Sequence, residues 1–150
     1  MEKNAKRENP SDAPQGGAPA NHFSFTKVLV KDLEALAVFY KSVFGMRELD
    51  RVKADAGSGI GRIEEIMLSM TGEFGLEPPL VLFKTLEKAP PQESDSILGF
   101  TVSDMDDVLS QLQSAGGTVL GETADHPDAV ARVAFARDPE GRLLEIVQMR

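Results

Sequence analysis

The sequence predicts an α+β fold made of two copies of one unit, each a strand, a helix and three further strands. Three observations carry this. The same order of periodicities, alternating then helical then alternating, runs twice through the chain. Each predicted helix follows an aspartate placed to cap it, Asp32 and Asp104, and stops at glycine, Gly45 and Gly116-Gly117. A tight turn, Asp138-Pro-Glu-Gly141, breaks one apolar run and starts the last. Proline presets the backbone of such a turn and glycine tolerates the dihedrals that close it.

Residues 1–21 are rich in Pro, Gly, Asn and charge and carry no aliphatic side chain larger than Ala after Met1. They bury too little to order themselves, and they lack the apolar centre of a secretory signal, so the expectation is a disordered tail in the cytoplasm. Residues 22–150 read as one domain of two repeats, about 23–86 and 95–150. The first opens with the alternating Thr26–Leu33 segment. Leu33, Leu36, Tyr40, Val43 and Phe44 then recur at helical spacing, followed by strand-like runs at Met46–Val52, Arg62–Met70 and Leu80–Lys84. The polar stretch Glu87–Asp95 links the halves. Leu98–Met105 opens the second, Met105, Val108, Leu109, Leu112 and Ala115 give its helix, and Thr118–Gly121, Val130–Arg137 and Leu143–Met149 its strands. Each half is small for an independent core, so the two are expected to pack together.

Composition narrows the functional classes. The chain has 150 residues, 41% hydrophobic and 27% charged, which suits one domain with a real core. No apolar run approaches the ~18 residues of a membrane span. The absence of cysteine removes disulfides, thiol nucleophiles and thiolate metal sites. A net charge of −8 argues against nucleic acid and anionic membranes as partners. Gly57-Ser-Gly-Ile-Gly61 suggests a phosphate loop but lacks the following Lys-Ser/Thr, and a flexible hairpin explains it better. Asp104, Asp106 and Asp107 lack the EF-hand spacing and read as a helix start favoured by the dipole.

Within the last strand a carboxylate, Glu145, interrupts an apolar run, and burying one is costly without a metal, a cation or a hydrogen-bond partner. This turn and strand, with Val30-Lys-Asp-Leu33, Phe39-Tyr40 and Phe44-Gly45, resemble the vicinal oxygen chelate proteins, the glyoxalase I, bleomycin-resistance and extradiol-dioxygenase superfamily. The resemblance runs from Phe23 to Arg150. It implies a half-open mixed sheet or barrel with the helices outside and a site on the concave face, usually in a homodimer. It also implies metal ligands at four places, one of them the closing Glu. Carried onto this chain these are Phe25, Val81, Ile97 and Glu145, three of which have no donor atom. Structural and catalytic metal sites use three or more protein ligands, so no metal and no cofactor are expected. His22 and His126 read as solvent-exposed.

Strand alternation assigns the faces. Val28, Val30, Ile66, Leu68, Met70, Leu98, Phe100, Val102, Leu144 and Ile146 are expected on the helix side. The concavity then receives Phe25, Lys27, Leu29, Glu65, Met67, Val81, Phe83, Ile97, Leu143, Glu145 and Val147. With Val133 and Phe135 taken as core, Arg132, Ala134 and Ala136 join them. An apolar concavity with a few polar groups is the usual form of a small-molecule site. Lys27 or Arg132 could hold an acidic group there, Lys27 and Glu145 could instead pair as a relic, and Glu145 could act as a general base. Two classes follow: a metal-independent binder of a hydrophobic or aromatic small molecule, or a lyase, isomerase or dioxygenase that is metal-free or uses atypical ligands.

Overall fold

The computed structural model describes residues 23–56, 61–92, 95–125 and 130–150. Strand β1 (Thr26–Leu29) leads into helix α1 (Leu33–Phe44), then β2 (Arg47–Ala56), β3 (Gly61–Ser69) and β4 (Leu80–Thr85). The order repeats as β5 (Ile97–Thr101), α2 (Met105–Ser114), β6 (Thr118–Asp125), β7 (Ala131–Arg137) and β8 (Leu143–Met149). The predicted tail, residues 57–60 of the hairpin and both histidines lie outside the described residues.

Both capping aspartates act as their positions predict. Asp32 accepts a hydrogen bond from the Ala35 amide at 3.0 Å, and Asp104 from the Asp107 amide at 3.0 Å. Gly45 ends α1 at φ +70°, a left-handed conformation open to glycine at little cost, and its amide returns to the Lys41 carbonyl. Each unit forms a four-stranded mixed sheet, ordered β1-β4-β3-β2 and β5-β8-β7-β6, with β1–β4 and β5–β8 parallel and the other pairs antiparallel. Neither sheet closes into a barrel. β2 runs beyond the expected Val52 to Ala56 because its pairing with β3 continues to Gly61. β6 likewise continues past Gly121 to Asp125 across a register shift. Met70, expected in the core, is 47% exposed because the chain leaves the sheet after Ser69.

A single apolar core joins the units. Leu36, Phe39 and Tyr40 of α1 and Met105 and Leu112 of α2 pack with Ile66, Leu68 and Leu82 of the first sheet and Ala134, Leu144 and Ile146 of the second. Phe44 of α1 stacks on Phe100 of β5 with centroids 3.8 Å apart, so the first unit's helix rests on the second unit's strand. Helix α2 sits tightly on its own sheet. A Cβ on Gly117 would come within 2.6 Å of the Leu112 side chain and 2.8 Å of the Arg137 carbonyl oxygen, a space only glycine leaves free.

The closing turn does more than reverse the chain. The buried Asp138 carboxylate accepts from the Tyr40 hydroxyl at 2.8 Å and from Arg142 Nη1 at 2.8 Å. Arg142 Nη2 donates to the Leu29 carbonyl at 2.6 Å. Glu140 accepts from the backbone amides of Lys31 and Asp32 at 2.6 and 2.8 Å. Turn residues of the second unit thereby fasten the β1–α1 junction of the first. Burial, and then the neighbouring Asp138 charge, push the Tyr40 hydroxyl far above its ordinary pKa, so it stays protonated as a donor.

Candidate functional site

Because one core covers the helix side of both sheets, the opposite faces are open. Pairing fixes what lies there. Lys27 sits beside Val81 and Leu29 beside Phe83 across β1–β4, while Glu65 and Met67 oppose Phe83 and Val81 across β3–β4. Phe25, just before β1, extends the same face. Ile97, Gly99 and Thr101 of β5 lie beside Leu143, Glu145 and Val147 of β8. The structure therefore places Phe25, Lys27, Leu29, Glu65, Met67, Val81, Phe83, Ile97 and Glu145 on the open face. Val81 is fully buried there and presents little surface to a ligand, whereas Phe25, Leu29 and Ile97 are each 44–54% exposed.

Arg132 belongs elsewhere. It occupies the helix side of β7, where its guanidinium meets Asp106 on α2 at 3.2 Å. Ala134 and Ala136, also expected in the concavity, are buried in the core, and Phe135 is the open-face residue, 40% exposed. The physical reason lies in the pairing: Ala134 and Ala136 stand beside Ile146 and Leu144, which fill the helix side, while Phe135 stands beside Glu145 on the other face.

Lys27 pairs with Glu65 and not with Glu145. The ammonium contacts the Glu65 carboxylate, whose side chain is 4% exposed, and stands 5.3 and 5.0 Å from the ring centroids of Phe25 and Phe83. An ion held between a buried carboxylate and two aromatic faces is stabilised by both charge and ring quadrupole. Glu145, half-buried between Gly99 and Phe135, has no hydrogen-bond or ion-pair partner among the described residues. Near the meeting of the units a cleft of ≈190 Å³ is lined by Lys27, Leu29, Asp95 and Arg142. That is smaller than the roughly 300–1,000 Å³ usual for drug-sized ligands, so a larger molecule would lie on the face rather than inside a single chain.

Sequence reasoning missed Phe135, Asp138 and Arg142. In Ala131-Arg-Val-Ala-Phe-Ala-Arg137 the small residues Ala134 and Ala136 share one strand face and the bulkier Val133 and Phe135 the other, which marks the alanine face as the one packed in the core. The charged pair flanking the turn signals a buried ion pair only once Tyr40 is known to reach it.

Duplicated βαβββ units with helices on one side and an open sheet face on the other define the vicinal oxygen chelate class of fold. The chain belongs to the Glyoxalase/Bleomycin resistance protein/Dioxygenase superfamily, whose family model matches residues 20–146. Among solved structures it is similar to a glyoxalase family protein from Bacillus cereus, with TM-score 0.72 and 19% identity over 89% of this chain and 99% of that one. It is also similar to the trypanothione-dependent glyoxalase I of Leishmania major, with TM-score 0.68 and 17% identity over 86% and 87%. A fosfomycin resistance protein from Listeria monocytogenes follows, with TM-score 0.60 and 12% identity over 87% and 94%. These likenesses are of fold. No curated protein matches the chain significantly.

At the four positions where the resemblance implies metal ligands the chain carries Phe25, Val81, Ile97 and Glu145, of which only Glu145 has a side-chain donor atom. Among the described residues no group of three or more His, Cys, Asp or Glu side chains could hold a metal ion. No helix among them is long and apolar enough to cross a membrane.

Proposed function

We propose that this chain binds a hydrophobic or aromatic small molecule on the open face of its two sheets, without a metal or cofactor, in the manner of a sequestering protein. The observation that carries this is the exposed apolar side chains on the open faces, Phe25 and Leu29 with Glu65 on the first sheet and Ile97 and Phe135 with Glu145 on the second. Exposed apolar surface in contiguous patches marks binding surfaces. Planar ligands stack on Phe, and Met67 adapts to their outline. The expected result is that an aromatic amphiphile raises Tm in a thermal-shift panel. Phe25→Ala together with Phe135→Ala should cut affinity about tenfold or more while leaving the fold intact, since both side chains stand in solvent. A panel in which no aromatic compound binds, or a double variant that binds as well as the parent, would sink the reading.

A second reading has one observation in its favour. Glu145 has no partner among the described residues, so its carboxylate can take a proton from a ligand on that face, as in a metal-free lyase or isomerase.

We also infer a homodimer. β1, β2, β5 and β6 are sheet edges, and unpaired edges beside exposed apolar surface invite cover by a second copy. Light scattering at tens of micromolar is expected to give twice the chain mass. A monomer mass would refute it.

A further inference from the structure

The two units treat one position on the open face in opposite ways. Aligned on the helix caps Asp32 and Asp104, Lys27 of β1 corresponds to Gly99 of β5, and their β4 and β8 neighbours are Val81 and Glu145. In the first unit the Lys27 ammonium is neutralised by buried Glu65 and bracketed by the rings of Phe25 and Phe83. The second unit also brings a carboxylate and a ring together, Glu145 facing Phe135 across β7–β8, but it has glycine where the cation would stand. A Cβ placed on Gly99 would meet nothing within 4 Å, so the space beside Glu145 is open. The carboxylate is half-buried and has no partner among the described residues.

From this we propose that the notch over Gly99 receives the cationic head of an organic amine, held by Glu145 and the face of Phe135, with the apolar part lying over Ile97 and its neighbours. The inference rests on the small-molecule reading above and fixes the charge class of the ligand. An acidic ligand is disfavoured on the same geometry. Lys27 is already compensated by Glu65, Arg132 lies on the helix side, and Arg142 is committed to Asp138 and the Leu29 carbonyl. The open face therefore has an uncompensated negative charge at Glu145, and the cation that shares β7 with Phe135 on that face, Arg137, is turned to the Gly141 carbonyl at 2.7 Å. A cation between a carboxylate and an aromatic ring gains from both, more so where the carboxylate is partly desolvated.

The test uses a fluorescent pair of similar size and opposite charge, naphthylethylamine and naphthylacetate, titrated at neutral pH and low salt. The amine is expected to bind about tenfold tighter than the acid. Glu145→Gln should remove most of that preference. Asp107→Asn, which makes the same change in net charge on the outer face of α2, should leave it. Gly99→Lys supplies the missing cation from the chain itself and should exclude the amine about as strongly. Equal binding of amine and acid, tighter binding of the acid, or an amine affinity indifferent to both Glu145→Gln and Gly99→Lys would overturn the proposal. In each of those cases binding lost in the Phe25→Ala, Phe135→Ala double variant would still uphold the broader reading. Failure of both probes to bind would overturn the two together.

Discussion

Replacing Asp138 by alanine is expected to destabilise the protein by about 3–5 kcal/mol, the range for removing one partner of a buried ion pair. The side chain is 3% exposed and accepts from Tyr40, from Arg142 and from the amides of Glu140 and Arg142. Alanine leaves a buried guanidinium and a buried hydroxyl without their acceptor. Arg142 is poorly placed to absorb that loss, because its Nε is already buried without a partner. A domain of this size loses roughly 2–4 °C in Tm per kcal/mol, so a fall of roughly 10 °C is expected by calorimetry. Asn at the same position keeps an acceptor and should cost less. A loss below about 1 kcal/mol for the alanine variant would show that water enters and replaces the carboxylate.

Phe44→Ala is expected to cost about 3–5 kcal/mol, the usual range for emptying a phenyl site in a core. Phe44 is 8% exposed and stacks on Phe100 while meeting Phe39 and Tyr40 at ring-centroid distances of 6.2 Å. The contact spans the two units, so the loss should appear as weaker coupling between them. A double-mutant cycle with Phe100→Ala should return roughly 0.5–1.5 kcal/mol of coupling. Denaturant unfolding supplies both numbers. Strictly additive single variants would mean that the stack contributes only buried area.

Where local chemistry decides the outcome, the fold was legible in the residues. Asp32 and Asp104 could be read as caps because a short carboxylate before an apolar helical stripe has few other uses. In β1 and β5, Val28, Val30, Leu98 and Phe100 could be assigned to the core because the intervening positions point the other way. β7 could not be read in this manner. Apolar side chains occupy both of its faces, and the usual preference for burying the larger ones sends Phe135 inward. Only the β7–β8 register, which sets Ala134 and Ala136 beside core Ile146 and Leu144, reverses that choice, and such a register is a tertiary quantity. The same holds for Lys27. Its partner Glu65 lies two strands away across β4, so sequence could put both on one face without pairing them. Glu145 was recognisable as anomalous from its apolar neighbours, but the empty space beside it depends on Gly99, which is adjacent only through the parallel β5–β8 register.

The Glu140 clamp has a consequence for how the protein is made. Its carboxylate holds amides 109 and 108 positions earlier in the chain. A ribosome adding about 5–20 residues per second releases that carboxylate some 5–20 seconds after the amides it serves. Throughout that interval the entry to the first helix has only Asp32 to cap it. The first repeat thus waits on the last turn to be translated, and the two halves, alike in plan, mature as one cooperative body rather than in succession.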